Sequence, residues 1–372
     1  MKYFLPILLF LHGAIHLTGF VKAFQFATIE QLTVPITKVS GVFWLFAFLF
    51  FMAAGIVYLT KGNYWYGDYW SILAMIAVTL STVLILYTWK DAKFGTIANI
   101  IILVAAIIGY GTATFFAKYE KDVIENLEQT SSVSESILTE ADIVNLPLPV
   151  QKYIRYSHSL GKPKVNSFKA EFKGKIRKDE LSEWMPFTTE QYNFTDVTTR
   201  LFYMKAVMKH LPVEGYHCFK NGNASMDIRL LSLFRVQYQD GPEMDTAETV
   251  TFFNDMCCLS PASLIDKRIK WLEVKENKVK AEFTGNNITI AAWLYFNDKG
   301  ELINFISNDR LAIIKDSKIQ KIPWSTPMKD YKEVDGFRLF TSADVIWSYP
   351  KGDFCYGTFS LTHIKYNCKQ NS

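Results

Sequence analysis

The sequence lacks the short motifs that identify common enzymes and metal sites. Five cysteines occur in 372 residues, and none takes part in a CxxC pair or in a zinc-type spacing with histidine. No GxSxG, HExxH, Walker A or GxGxxG motif stands between a strand and a helix. The odd number of cysteines gives no support to a disulfide framework. Hydrolase, nucleotide-binding and zinc-protein classes are therefore disfavoured, and the sequence predicts no cofactor and no metal.

Charge is sparse in the first part of the chain and unclustered in the rest. The net charge is +4 and the lysines are scattered, which argues against a nucleic-acid partner. Residues 97–117 contain no charged residue at all. About 20 apolar residues, each rising roughly 1.5 Å, cross the hydrocarbon core of a bilayer. The sequence therefore predicts four transmembrane helices, at residues 3–20, 41–59, 69–88 and 97–117.

A signal peptide is the rival interpretation of the first apolar run, because Lys2 precedes it. Two histidines interrupt the run and no A-x-A cleavage site follows, which favours a span. The lysines that flank the four spans nearly balance across the membrane. Lys90 and Lys93 share one short turn, so we place that turn in the cytoplasm and the soluble domain outside it.

Residues 118–146 are predicted to connect the membrane domain (residues 1–117) to a soluble domain (residues 147–372). The last span should continue as a helix to residue 128, and TSSVSES then reads as a flexible break. A capping-box-like start at Thr139 precedes a short helix, and an amphipathic helix follows up to Gly161. A fragment that starts near Thr139 is therefore expected to fold without the membrane part.

The hydrophobic period changes to two from Ser167 onward, as in an antiparallel sheet with one buried face. Many strand-like runs follow, one helix interrupts them at residues 245–259, and no βαβ rhythm is present. The predicted fold is therefore a four-helix transmembrane bundle plus an α+β domain. That domain is a long, curved, half-barrel-like antiparallel sheet with one or two covering helices.

Three motifs in this second half are similar to a bacterial family of unknown function. They are WMPFTTEQ, DGPEMDTAE and VDGFRLFTSADVIW, at residues 184–191, 240–248 and 334–347. The resemblance covers about residues 146–366. The WKDAKFGTIAN turn and the His-x-x-x-His spacing of the first span also look like the membrane part of some members. The resemblance implies architecture and little chemistry. A curved sheet with helices in its concavity is also similar in outline to the periplasmic lipoprotein-carrier half-barrels.

A polar site is predicted inside the membrane domain. His12 and His16 are four residues apart, so they share one face of the first span. Interhelical hydrogen bonding, a proton or quinone site, and a metal are the alternatives for this pair. Asp91 and Lys93 in the last turn, with Asn99 two residues into the final span, are interpreted as a helix cap and membrane-edge anchor or as a polar gate.

Acidic residues cluster where the helix of the soluble domain begins. Asp245 is predicted to be its N-cap, with Glu248 as the capping-box partner. If the protein is an enzyme, Glu248 and Arg310 are the candidate acid/base pair. Cys257 and Cys258 are interpreted as buried free thiols.

Strand aromatics provide the candidate ligand-binding residues of the soluble domain. They are Trp184, Trp293 and Trp347, with Gln191 of the first motif. The sequence therefore favours a protein of a bacterial inner membrane whose half-barrel binds an apolar or lipidic ligand. The alternatives are a membrane enzyme that acts on a lipid-linked substrate and a non-catalytic interaction module.

Overall fold

A computed structural model of the chain describes residues 3–60, 69–130, 136–313 and 319–369. Most of the predicted TSSVSES break lies outside these residues. The chain forms two compact units, Met1–Phe116 and Ala117–Ser372. Each unit has its own hydrophobic core.

The first unit contains the four predicted apolar helices. They are α1 (Phe4–Ala23), α2 (Lys38–Thr60), α3 (Tyr69–Tyr87) and the N-terminal part of α5 (Gly95–Thr130), with the single turn α4 (Trp89–Ala92) before α5. All four long helices have the length and apolar composition needed to span a membrane. The prediction of four apolar helices is therefore confirmed.

Small residues let these helices approach one another closely. A methyl group added at Gly19 of α1 would lie 2.2 Å from Cδ2 of Trp44 of α2, so the indole ring packs directly on the glycine. A methyl group added at Gly109 of α5 would likewise lie 2.3 Å from Cζ2 of Trp70 of α3. Glycine at helix contacts is typical of membrane bundles, where van der Waals packing drives association.

Besides the end of α5, the described residues of the second unit form three further α-helices. They are α6 (Glu140–Ile143), α7 (Leu148–Tyr156) and α8 (Pro242–Leu259), and a 3-10 helix (Pro261–Ile265) follows α8. The predicted capping box is confirmed, since the Thr139 amide donates to Asp142 Oδ2 at 2.8 Å. The helix α7 ends at Tyr156, before the predicted stop at Gly161.

The sheet is antiparallel throughout. Its first strands are β1 (Ser167–Ile176), β2 (Met185–Phe194), β3 (Thr199–Met208), β4 (Leu211–Lys220), β5 (Asn223–Leu230) and β6 (Phe234–Asp240). The strands after α8 are β7 (Ile269–Lys275), β8 (Lys278–Gly285), β9 (Ile288–Phe296), β10 (Leu302–Ser307), β11 (Leu311–Ile313), β12 (Ile319–Lys321), β13 (Trp324–Ser325), β14 (Met328–Val334), β15 (Phe337–Tyr349) and β16 (Gly352–Tyr366).

The strand order shows how the sheet is joined. It runs β6-β5-β4-β3-β2-β1-β16-β15-β13-β10-β9-β8-β7, with β14 paired to β15, while β11 and β12 form a separate hairpin. The pairing of β1 with β16 joins two meanders into one curled, half-barrel-like sheet. Strands β9 and β10 form an antiparallel hairpin. Sequence patterns missed β5, β14 and the short strands β11 to β13.

The helix α8 fills part of the concave face of this sheet. Thirteen consecutive residues of α8, from Ala247 to Leu259, are buried. Its aromatic side chains pack into the core, and the Phe253 and Phe283 rings stack with centroids 5.1 Å apart. The prediction of a curved sheet around a helix is confirmed.

The C-terminal part of α5, Ala117–Thr130, packs on the opposite, outer face of the sheet. Tyr119 donates to Glu190 Oε1 at 3.0 Å, and Tyr216 donates to Asp122 Oδ2 at 2.7 Å. Lys220 forms an ion pair with the same Asp122 carboxylate. Most of β3 is therefore buried on both faces. The segment predicted as a connector covers this sheet face, which is a physical objection to independent folding of a fragment from Thr139.

Candidate functional site

The helix α8 carries two acidic side chains into the interior of the second unit. Glu248 and Asp255 are seven residues apart, so they lie on one face of the helix. The helix begins at Pro242 with Gly241 as its N-cap, three residues earlier than predicted. The predicted N-cap role of Asp245, with Glu248 as capping-box partner, is therefore wrong. Asp245 instead accepts a hydrogen bond from the Ala224 amide at 2.6 Å.

Arg200 of β3 forms ion pairs with both carboxylates. Its Nε donates to Asp255 Oδ2 at 2.7 Å, and its Nη1 donates to Glu248 Oε2 at 3.1 Å. Only 1% of the Glu248 surface and 6% of the Arg200 surface are exposed. A buried charge is tolerated only when it is paired and hydrogen-bonded, so this ion-pair cluster must be complete for the domain to be stable.

Side chains from neighbouring strands complete the cluster. Gln191 and Asn193 of β2 donate to Asp255 Oδ2 at 3.0 and 3.2 Å. His217 Nδ1 lies 3.4 Å from Glu248 Oε1. Gln191, one of the predicted ligand residues, is thus 2% exposed and held by hydrogen bonds inside the protein.

The electrostatic environment keeps Glu248 ionised. Burial alone would raise the pKa of Glu248, but Arg200 and His217 outweigh it and lower the pKa to about 2. A general acid or base that works near neutral pH needs a pKa near neutrality. This environment favours an electrostatic role for Glu248 over proton transfer.

Arg310, the predicted partner of Glu248, contributes to its low pKa but forms no hydrogen bond with it in the described part of the chain. The Arg310 guanidinium lies 4.4 Å from the centroid of the Trp324 ring and 5.5 Å from that of Trp347. The Trp347 ring also stacks with Tyr356 at 6.3 Å. An acid/base role for Glu248 and Arg310 stays a prediction.

An apolar cluster, separate from the core around α8, continues the concave face. It is formed by Phe187, Phe202, Met204, Ala206 and Val213, with Ile176, Ile228, Leu230 and Phe359 packed against it. Phe202 is the direct cross-strand neighbour of both Gln191 and His217, so the apolar cluster adjoins the ion-pair cluster. The buried Thr189 hydroxyl beside Met204 has no hydrogen-bond partner among the described residues.

Two of the predicted ligand-binding tryptophans lie elsewhere. Trp293 of β9 alternates with the core residues Ala292 and Leu294, so it projects from the other face, where Lys278 Nζ lies 5.4 Å from its ring centroid. The expectation that Trp293 lines the concavity is therefore wrong. Trp184 precedes β2, and its ring lies 4.6 Å from the guanidinium of Arg177. Trp347 is the predicted tryptophan that lies beside Arg310.

Three of the five predicted polar residues of the membrane domain meet in one buried network. His12 Nε2 lies 2.8 Å from Asn99 Oδ1, and His16 Nε2 lies 2.9 Å from the Ser81 hydroxyl. Ser81 is also 3.0 Å from Asn99 Oδ1, which links the two histidines through α3 and α5. No sequence pattern pointed to Ser81, because serine is common in apolar helices.

Asp91 and Lys93 lie outside this network. Asp91 accepts hydrogen bonds from the Thr33 hydroxyl at 2.8 Å and from the Val34 amide at 2.8 Å, so it fixes the loop between α1 and α2. Lys93 Nζ lies 5.3 Å from the ring centroid of Phe94. These contacts favour the anchoring interpretation of the turn.

Comparisons with known proteins identify a family and a distant fold likeness. The model of DUF6544, a family of unknown function, matches residues 136–359, which is more than half of the chain. No curated protein matches. A similar solved structure is a DUF1329 family protein from Desulfovibrio piger, with 12% identity, a TM-score of 0.35, and 62% of this chain and 94% of that chain covered. A LolA superfamily protein from Nitrosomonas europaea has 7% identity, a TM-score of 0.33, and coverage of 60% and 94%. These two likenesses are too distant to carry a functional argument.

Proposed function

This chain belongs to DUF6544, a family of unknown function, and we propose that its β-rich unit binds an anionic lipid, such as a fatty acid, in the concavity of the sheet. The observation that carries the proposal is Arg310. Its partly buried guanidinium makes no hydrogen bond or ion pair with any described side chain, although it is held beside Trp324 and Trp347. A partly buried cation held by aromatic rings is suited to bind a carboxylate or phosphate group.

The apolar part of the ligand extends along the apolar cluster that includes Phe187 and Phe202. Phe359 packs against both this cluster and the core around α8, so apolar surface continues from the Trp347 side of the sheet to Phe187 and Phe202. Arg200 is occupied by Glu248 and Asp255 and is not available to an anion. The charged end of the ligand therefore binds at Arg310.

The four apolar helices hold this unit at a bilayer, where lipids are concentrated. We place the protein in a bacterial inner membrane with the β-rich unit outside the cytoplasm, from the short turn that carries Lys90 and Lys93. A reporter that works only in the cytoplasm, fused after Ser372, should therefore be inactive. Activity of this reporter would refute the proposed orientation. The membrane-enzyme alternative loses support from Glu248, whose low pKa makes it a weak base.

Lipid binding is measured on the purified full-length protein in mild detergent by titration with a dibrominated fatty acid, which quenches nearby tryptophans. We expect saturable quenching, with the methyl ester of the same acid binding at least tenfold more weakly, because a hydrogen bond to a charged group contributes about 1.5–3 kcal/mol. Arg310→Gln should abolish the difference between acid and ester.

Arg177→Gln is the matched control. Arg177 also lies over a tryptophan ring, that of Trp184, but its Nε already donates to the Cys355 carbonyl oxygen at 3.0 Å. This variant should retain the preference for the acid. Equal affinity of the unaltered protein for acid and ester, or the absence of saturation, would refute the proposal.

A further inference from the structure

A cavity of about 320 Å³ lies within the first unit, distant in sequence from Arg310. Its volume is at the lower end of the range of small-molecule sites, roughly 300–1,000 Å³. Side chains of α1, α2, α3, the loop between α1 and α2, and the turn before α5 line it. Among these lining residues are His12, His16, Trp44, Ile85, Asp91 and Phe94.

The hydrogen bonds of the histidines fix which ring nitrogens carry protons. His16 Nδ1 lies 2.9 Å from the carbonyl oxygen of His12, so this nitrogen must be the donor. Asn99 donates through Nδ2 to Thr82 Oγ1 at 3.1 Å, which leaves Asn99 Oδ1 as the acceptor for His12 Nε2. In neutral His12, Nε2 therefore carries the proton and Nδ1 is an acceptor.

The Nδ1 atom of His12 has no hydrogen-bond partner in the described part of the bundle. It is also not among the fully enclosed polar atoms that lack a partner. Since His12 lines the cavity, Nδ1 is the acceptor available to a bound molecule. Both ring nitrogens of His16 are already engaged, with the His12 carbonyl and with Ser81.

The remaining wall determines the charge and shape of the ligand. The described lining residues include no lysine or arginine, and Asp91 contributes a carboxylate. The hydrogen bond from the Val34 amide, among others, holds the pKa of Asp91 below its usual value, so Asp91 stays ionised and disfavours anions. Trp44, which packs against the His16 ring at 5.3 Å, and Phe94 offer aromatic surface.

We propose that this cavity binds an uncharged aromatic alcohol, of the phenol or quinol class, whose hydroxyl group donates to His12 Nδ1. The aromatic body lies against Trp44 and Phe94, and the network of Asn99 and Ser81 holds the imidazole ring in the accepting orientation. This ligand differs from the anionic lipid of the β-rich unit both in charge and in its hydrogen-bonding role.

Three matched probes test the proposal on the unaltered full-length protein in detergent. They are 1-naphthol, 1-methoxynaphthalene and 1-naphthoate, followed by their own fluorescence. We expect saturable binding of 1-naphthol and binding about 5- to 10-fold weaker for the methoxy compound, which lacks the donor hydrogen. The anion should bind more weakly still. Equal affinity for naphthol and its methyl ether, or preference for naphthoate, would overturn the assignment.

Two variants locate the site. His12→Ala should weaken 1-naphthol binding to the level of the methoxy compound, while His210→Ala, at an exposed turn of the second unit, should leave it unchanged. Ala92→Phe, which fills the cavity from its wall, should exclude all three probes without touching the histidine network. Arg310→Gln should leave naphthol binding unchanged, which separates this site from the lipid site. Unaltered naphthol affinity in both His12→Ala and Ala92→Phe, with normal melting curves, would refute the proposal.

Discussion

Replacing Arg200 with methionine should destabilise the β-rich unit in a way that depends on pH. The substitution keeps much of the side-chain volume but removes the positive charge that pairs with Glu248 and Asp255. Removing one partner of a buried ion pair costs about 3–5 kcal/mol. The pKa of Glu248 gives a similar figure, because a change from 4.5 to about 2 corresponds to about 3 kcal/mol at 1.36 kcal/mol per unit.

The sign of the pH dependence follows from the direction of this pKa change. In the unaltered protein the folded-state pKa of Glu248 lies below its unfolded value, so Glu248 contributes stability above pH 4.5, and this contribution is lost as the pH falls toward 2. Without Arg200, burial dominates and raises the folded-state pKa above 4.5. Glu248 then takes up a proton on folding. Acidification from pH 7 therefore reduces the difference in folding stability between the unaltered protein and the variant.

The assay is a thermal melt of the full-length protein in detergent at pH 7 and pH 4.5. For a unit of this size, about 3 kcal/mol corresponds to a decrease in melting temperature of roughly 6–12 °C at pH 7. The difference between variant and unaltered protein should be smaller at pH 4.5. Arg155→Met, which breaks an exposed pair with Glu140, should have almost no effect at either pH. A decrease in melting temperature on Arg200→Met that is the same at both pH values would refute this explanation.

Four further predictions concern packing and accessibility. Asp122→Ala leaves the buried Tyr216 hydroxyl without its acceptor and should cost about 1–3 kcal/mol in a denaturation curve, while Glu125→Ala, one turn away, should be nearly neutral. Gly19→Ala places a methyl group 2.2 Å from the Trp44 ring and should lower the melting temperature of the bundle, whereas Leu11→Ala on an exposed face of α1 should not. Burial raises the thiol pKa of both Cys355 and Cys257, but Cys257 is fully buried, so maleimide should label the partly exposed Cys355 well before Cys257; equal labelling rates would show that α8 opens easily. A fragment of residues 117–372 should remain soluble with β-type circular dichroism, and a fragment of residues 139–372 should aggregate; a well-folded shorter fragment would show that the end of α5 is dispensable.

Local patterns were sufficient to predict most elements of the fold. Charge-free apolar runs identified the four helices, and strand-like runs at residues 269–275, 302–307 and 337–349 predicted β7, β10 and β15 at their observed bounds. The three motifs indicated a family of unknown function, which the match to DUF6544 confirms. The strand β5 was missed because charged residues such as Asp227 and Arg229 interrupt its apolar pattern. In the structure, these two residues form an ion pair.

The candidate sites were harder to predict, because they depend on contacts between distant parts of the chain. Arg200 stands in an apolar strand, and no local pattern shows that it meets Glu248 and Asp255 of α8. The spacing of seven residues between those acids, which puts them on one face of α8, is the signal that the sequence offers. The position of Trp293 was predicted wrongly. Alternation separates the residues of a strand into two faces, but it does not show which face points into the concavity of the sheet.

The pairing of β1 with β16 has a consequence for synthesis of the protein. Thr362 Oγ1 donates to the Glu171 carbonyl oxygen across 191 positions of the chain. At about 5–20 residues per second, a ribosome needs roughly 10–40 s after the synthesis of β1 to produce its pairing partner β16. During that interval the four apolar helices have already emerged, and β1 exposes an unpaired edge that can pair with other chains. A holding chaperone that protects this edge during translation would therefore raise the yield of the folded protein more than one that acts after release.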